Sequence, residues 1–243
     1  MANMTEGLSL LSGITAYMFI LGFAGMAAGT LYFLLVRSDL SPKVRSVAIY
    51  AAVITFVASI MYYIMATNVW NGQGIESTVV IRYVDWIITT PLLLLEFAII
   101  AALAGKIKKG LVGRLIVADI IMIVAGFLGE TVGRPGDPAV YVWMIISVLA
   151  WIWIIIEVLG VKATGNDFAA TAVKTMKYFV VIGWSIYPLG TAIQQFMSLG
   201  SEPGSLDLAT AAAIAAIVYI VADLTNKVVF GIVAVRAAKN VKA

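Results

Sequence analysis

Along the chain, apolar residues run in seven long blocks, each broken by a short polar or glycine-rich stretch. The blocks cover roughly 8–36, 44–67, 79–104, 111–129, 139–160, 168–197 and 207–235. About 20 helical residues cross a bilayer's hydrocarbon core, so each block is long enough to span. The separators RSDLSPK, NGQG, GKIKKG, GRPGDP, GVKATGND and SLGSEPGS carry turn, breaker or charge signals. None is long enough to separate domains. The pattern therefore predicts an all-α membrane protein, one seven-helix bundle over residues 1–243, with membrane lipid as its surroundings. No internal repeat is visible, which argues against a transporter built from duplicated halves.

Composition supports this reading and narrows the chemistry. The 243 residues are 62% hydrophobic and 12% charged, with a mean hydropathy of +1.02. A soluble domain of this length could not hide that much apolar surface. There is no Cys and no His. That excludes disulfides and thiolate catalysis, and it removes the usual metal ligands and the usual neutral-pH base. No metal site is expected, and proton chemistry is left to carboxylates, Lys, Tyr and water. The first residues lack a basic stretch and their apolar run continues to Val36, so they read as mature protein, not as a secretory signal.

Charge sets the orientation. All Lys and Arg except Arg82, Arg134 and Lys227 lie near the loops after the first, third and fifth blocks or in the C-terminal tail. Alternating helices put these regions on one side, which the positive-inside rule makes cytoplasmic, with the N-terminus outside. The net charge of +3 thus reflects topology, and no nucleic-acid partner is expected.

Arg82 and Lys227 lie inside spans, as do Asp85, Glu96 and Asp223. A charge in hydrocarbon costs roughly 3 kcal/mol on insertion scales, so each needs a reason. Asp85 and Thr89, four apart, share one helix face. Glu96, eleven residues from Asp85, returns to that face about 16 Å along the axis. Arg82 lies one turn to the outer side of Asp85. Asp223 and Lys227, also four apart, share a face of the seventh block. If Arg82, Lys227, Asp85 and Asp223 converge, two positive and two negative charges form a neutral cluster. Glu96 is left over in LLLLEFAII and is expected to hold its proton at rest. Structural ion pairs are the competing reading, but they gain nothing from an isolated carboxyl three turns away. Trp86, Trp184 and Tyr187, with Pro188 to kink the sixth helix, can wall a slot for a flat conjugated ligand beside Lys227. A buried Lys is the residue that condenses with an aldehyde.

RYVDWIITTPLLLLEF, GWSIYPLG and ADLTNKVVFG together resemble the microbial (type 1) rhodopsins, specifically their light-driven outward proton pumps, over essentially all seven helices. The resemblance implies all-trans retinal on Lys227 as a protonated Schiff base, in a photoreceptor and ion transporter rather than an enzyme. It implies Asp85 as proton acceptor and counterion, Asp223 as second counterion, and Glu96 as donor. Arg82 corresponds to the outward gate and Thr89 to the acceptor's hydrogen-bonding partner. ADIIMIVAGFLG is similar to helix four of archaeal bacteriorhodopsins and places Asp119, Met122 and Gly126 near the retinal ring. Ser147 and Trp151 match pocket positions in helix five. Thr90 and Leu93 face the pocket from helix three, the Leu implying green absorption, and Tyr62 matches the counterion-region Tyr of helix two. The resemblance further implies a prokaryotic cell membrane and a homo-oligomer, a trimer or pentamer.

Several positions depart from the family pattern. Bacterial members often pair the acceptor with a His, and this chain has none. Ala215 replaces the inner residue of the archaeal outer Glu pair, leaving Glu202 or Glu130 as candidates for proton release. Met144 stands where antenna-binding relatives have Gly, which argues against a carotenoid. The alternative function is a sensory rhodopsin signalling through a membrane partner. It would keep Lys227 and Asp85 but has no need of Glu96.

Overall fold

The computed structural model describes the backbone of residues 2–165, 167–199 and 206–240, and the side chains of 10–165, 168–199 and 208–240. Seven helices follow one another. They are α1 (Ala2–Val36), α2 (Arg45–Trp70), α3 (Thr78–Ala104), α4 (Leu111–Thr131) and α5 (Pro138–Leu159), followed by two composite helices. In α6, Asp167–Tyr178 passes through a π-helical segment, Phe179–Gly183, into Ile186–Met197. In α7, Leu206–Asp223 passes through a second π segment, Leu224–Val229, into Phe230–Lys239. The predicted blocks coincide with these helices to within a few residues at most ends. The exceptions are the start of α1 and the end of α7, which runs on to Lys239 through amphipathic turns.

Among the described residues, six helices are long and apolar enough to cross a membrane, and α6 is the exception. Its interruption has a local cause. Pro188 has no N–H to offer the Trp184 carbonyl, which accepts the Tyr187 N–H instead, at 3.2 Å. One turn earlier the Trp184 N–H reaches back five residues to the Phe179 carbonyl at 2.8 Å. The regular helical hydrogen bonding is thus interrupted over the turn and a half that precedes Pro188.

The bundle is inside-out by the standards of a soluble protein. Leu21, Leu31, Phe56, Ile60, Ile145 and Ile156 are exposed on its outside, where lipid would cover them, while Asp85, Glu96, Asp119, Asp223 and Lys227 are buried. Helix α3 packs against α2, α4, α6 and α7, so its charged face looks into the bundle centre. Without a hydrophobic drive in lipid, close backbone approach supplies helix association. On α1, a Cβ added at Gly22 would lie 2.8 Å from Tyr62, and one at Gly29 would lie 3.2 Å from Val228. Helix α1 thereby presses on both the α2 tyrosine and the π segment of α7.

The basic end is closed by its loops. The N–H groups of Thr164 and Gly165 donate to the Ala104 carbonyl at the end of α3, at 2.9 and 2.5 Å. Lys177 Nζ donates to the carbonyls of Leu159 and Val161 beyond α5, at 3.2 and 2.7 Å. Both contacts satisfy orphan carbonyls at helix ends.

Candidate functional site

The π segment of α7 carries Lys227, 1% exposed, into the bundle centre. Its Nζ donates to Asp85 Oδ2 on α3 and to Asp223 Oδ2, the latter at 2.9 Å. The two carboxylates are held differently. Asp223 also accepts from the Tyr62 hydroxyl at Oδ2 (2.9 Å) and from the Tyr187 hydroxyl at Oδ1 (2.6 Å). Asp85 accepts from Lys227 at Oδ2, and its Oδ1 has no hydrogen-bond partner among the described residues. Three donors, Lys227, Tyr62 and Tyr187, hold both oxygens of Asp223 in place. Asp85 keeps an oxygen free to take a proton. Thr89 stands beside it, one turn along α3, and its hydroxyl donates to the Asp85 main-chain carbonyl at 2.9 Å.

Glu96 is fully buried on the same helix, and neither carboxyl oxygen has a partner among the described residues. At 1.5 Å per residue it lies about 16 Å from Asp85 toward the basic end.

The condition for a neutral four-charge cluster, that Arg82 converge with the other three, is not met. Lys227 meets Asp85 and Asp223, but Arg82 pairs with Glu130 at the end of α4, at 3.3 Å. Motifs leave Glu130 as a bare candidate, because the pairing joins residues 48 positions apart. Tyr83, Thr191 and Tyr219, all in this cluster, carry no signal in the sequence beyond being polar or aromatic in an apolar run.

Beside the charged centre lies a cavity between α3, α4, α5 and α6. Trp86, Thr90, Met122, Gly126, Ser147, Trp151, Trp184, Tyr187 and Pro188 line it, all predicted as pocket residues. Tyr83, Ile123, Met144, Val148 and Thr191 complete the wall. Tyr62 and Leu93 are buried nearby but outside the lining, Tyr62 on Asp223 and Leu93 in the core cluster that also holds Trp184. The Thr90 hydroxyl donates to Asp119 Oδ2 (2.9 Å) and Ser147 Oγ to the Met122 carbonyl (2.8 Å), tying α3 to α4 and α4 to α5. The π segment of α6 exposes carbonyls that side chains satisfy. Trp151 Nε1 donates to that of Val180 (3.3 Å) and Asn226 Nδ2 to that of Gly183 (3.1 Å). Glu202 lies outside the described residues. Ala215 is buried.

These residues fit a retinal. The cavity has flat indole and phenol walls, and Tyr187, which lines it, also donates to Asp223 in the charged centre. The centre supplies the buried amine for attachment and two carboxylates for the resulting cation.

The model of the bacteriorhodopsin-like protein family matches residues 13–241. A green-light absorbing proteorhodopsin from Gamma-proteobacterium EBAC31A08 is 32% identical over 238 residues, covering 94% of this chain and 90% of that protein. Sensory rhodopsin-2 of Natronomonas pharaonis is 30% identical, over 95% of this chain and 92% of its own. The crystal structure of Exiguobacterium sibiricum rhodopsin superposes with a TM-score of 0.83 at 37% identity, covering 95% of this chain and 97% of that one.

Proposed function

Because the chain belongs to the bacteriorhodopsin-like family, a multi-pass protein of a prokaryotic cell membrane, we propose that it is a light-driven outward proton pump carrying all-trans retinal on Lys227. The whole of residues 1–243 then acts as one retinal-binding domain, with its basic end in the cytoplasm. Lys227 would hold the retinal, which would supply a light-absorbing cation and, on illumination, a change of shape at the Lys227 nitrogen.

The protein's own groups give that event a direction. Asp85, with one uncommitted carboxyl oxygen, takes the proton on the outward side. Asp223, held by Tyr62 and Tyr187, keeps its charge and its place. Glu96 holds a proton on the inward side and returns it to the emptied nitrogen. The observation that carries the reading is this file: a buried Lys between two unequally held carboxylates, with an isolated buried carboxyl three turns away.

A sensory role is the second reading, favoured by the 30% identity to a sensory rhodopsin. Glu96 separates the two, since a sensor does not need an inward donor. The test is illumination of unbuffered cells that express the chain with added retinal. Acidification of the medium that a protonophore abolishes, and that Lys227→Ala loses together with the visible band, is expected. A coloured protein that moves no protons would instead be a sensor, and a colourless one would not be a retinal protein.

A further inference from the structure

Arg82 and Asp85 are one turn apart on the same face of α3, so the guanidinium could lie against the acceptor carboxylate. It does not. Its Nη2 is 3.3 Å from Glu130 Oε2, and the two side chains are only 6% and 3% exposed. Its plane lies over the Tyr219 ring, 4.7 Å from the centroid. The Glu130 carboxylate is itself fixed, with Oε1 accepting from the Tyr83 hydroxyl at 3.0 Å and from Thr191 Oγ1 at 2.9 Å. A buried carboxylate with donors from α3 and α6 is a built receptor for one guanidinium orientation.

The consequence is one of charge. With Arg82 on Glu130, the centre holds one positive group, Lys227, against Asp85 and Asp223. It is one proton short of neutral. With Arg82 on Asp85, the centre would be neutral and the acceptor would have less reason to take a proton. We propose that Glu130 is a latch that holds the Arg82 guanidinium off Asp85 and thereby keeps Asp85 ready to accept a proton. Glu130 is a positioning residue that works through Arg82. The inference rests on the retinal-pump reading, because it names the control of that reading's acceptor.

Other groups near the two carboxylates do not compete for this role. Around Asp85 they are Lys227 and Asp223 on α7, with Tyr62 and Tyr187 bound to Asp223. Around Glu130 they are Tyr83 and Thr191, with the Tyr219 hydroxyl 2.9 Å from Thr191. Among the described residues, Arg82 is the cation that pairs with Glu130, and Lys227 the one that pairs with Asp85.

The test is acid titration of the visible band of the retinal-bound full chain, which reads protonation of Asp85. Glu130→Gln frees Arg82 to return to Asp85, and the midpoint should fall by about one pH unit, a tenfold change in proton affinity. Glu130→Asp, which keeps the charge, should restore it most of the way. In an Arg82→Gln background the Glu130→Gln shift should shrink to less than about a third, because the guanidinium that transmits it is gone. A midpoint within about 0.2 units of the parent in Glu130→Gln overturns the latch. So does a full shift in the Arg82→Gln background, which would mean that Glu130 acts by its own charge. If the Glu130→Gln protein does not assemble, Arg82→Gln alone decides. A rise of at most about one unit fits a guanidinium already withdrawn, and a larger rise shows that it was serving Asp85. A parent protein with no visible band would fail the retinal reading itself, before any latch is tested.

Discussion

Glu96 is the residue on which the choice of function turns. It is 0% exposed and has no hydrogen-bond partner among the described residues, an arrangement that a structural carboxyl would gain nothing by keeping. Glu96→Gln keeps the size and polarity and removes the titratable proton. The colour should be unchanged, because Glu96 lies about 16 Å from Asp85. Recovery of the resting absorbance after a flash should slow by about tenfold or more and become pH-dependent, since the proton must then come from bulk water. Added azide, a small diffusible acid, should restore the rate. Recovery as fast as the parent's would make Glu96 a passive carboxyl and favour a sensor.

At the scale of elements, the two π segments face each other. Asn226, in that of α7, donates to the Gly183 carbonyl in that of α6, which joins the Lys-bearing turn to the kinked helix. The same helices make close contact further out, at Gly190. A Cβ there would stand 2.6 Å from Tyr219 Cε1 and 3.0 Å from its hydroxyl oxygen. A rigid buried ring can yield only by moving the helix, so Gly190→Ala should cost about 1–3 kcal/mol, the usual penalty for overpacking. Thermal bleaching of the visible band is the measurement, with a lower midpoint expected. The same change should move Tyr219 off Thr191 and disturb the Glu130 cluster. An unaltered midpoint would mean that α6 and α7 slide past each other freely.

At the scale of the molecule, orientation gives direction to the transport. The chain contains no Cys, so a single introduced thiol is an unambiguous reporter. Arg134, exposed in the loop between α4 and α5, and Lys109, exposed in the loop between α3 and α4, lie at opposite ends of the bundle. With the basic end inside, a membrane-impermeant maleimide should label Arg134→Cys in intact cells. It should label Lys109→Cys only after the cells are opened. The reverse pattern would invert the topology, and the file from Glu96 to Asp85 would then point inward.

The seven spans, the charged face of α3 and the Asp223–Lys227 spacing are legible in the chain alone. Each depends on helical periodicity or on the cost of a charge in lipid, and both act locally. Most of the cavity wall is legible too, because Trp86, Trp184, Tyr187 and Pro188 sit in motifs tied to neighbouring charges. The partner of each charge is not. Arg82 can reach either Asp85 or Glu130 by rotating its own side chain, so helical spacing leaves the choice open. The packing of α4 and α6 against α3 settles it, bringing Glu130, Tyr83 and Thr191 together around one guanidinium. The unequal grip on Asp85 and Asp223 is likewise tertiary, since it depends on hydroxyls 161 and 36 residues away along the chain. Local sequence determines which groups are buried, because burial follows from the helix face. Only the packed bundle decides which buried charges neutralise one another, because that depends on distances across helices that no local pattern encodes.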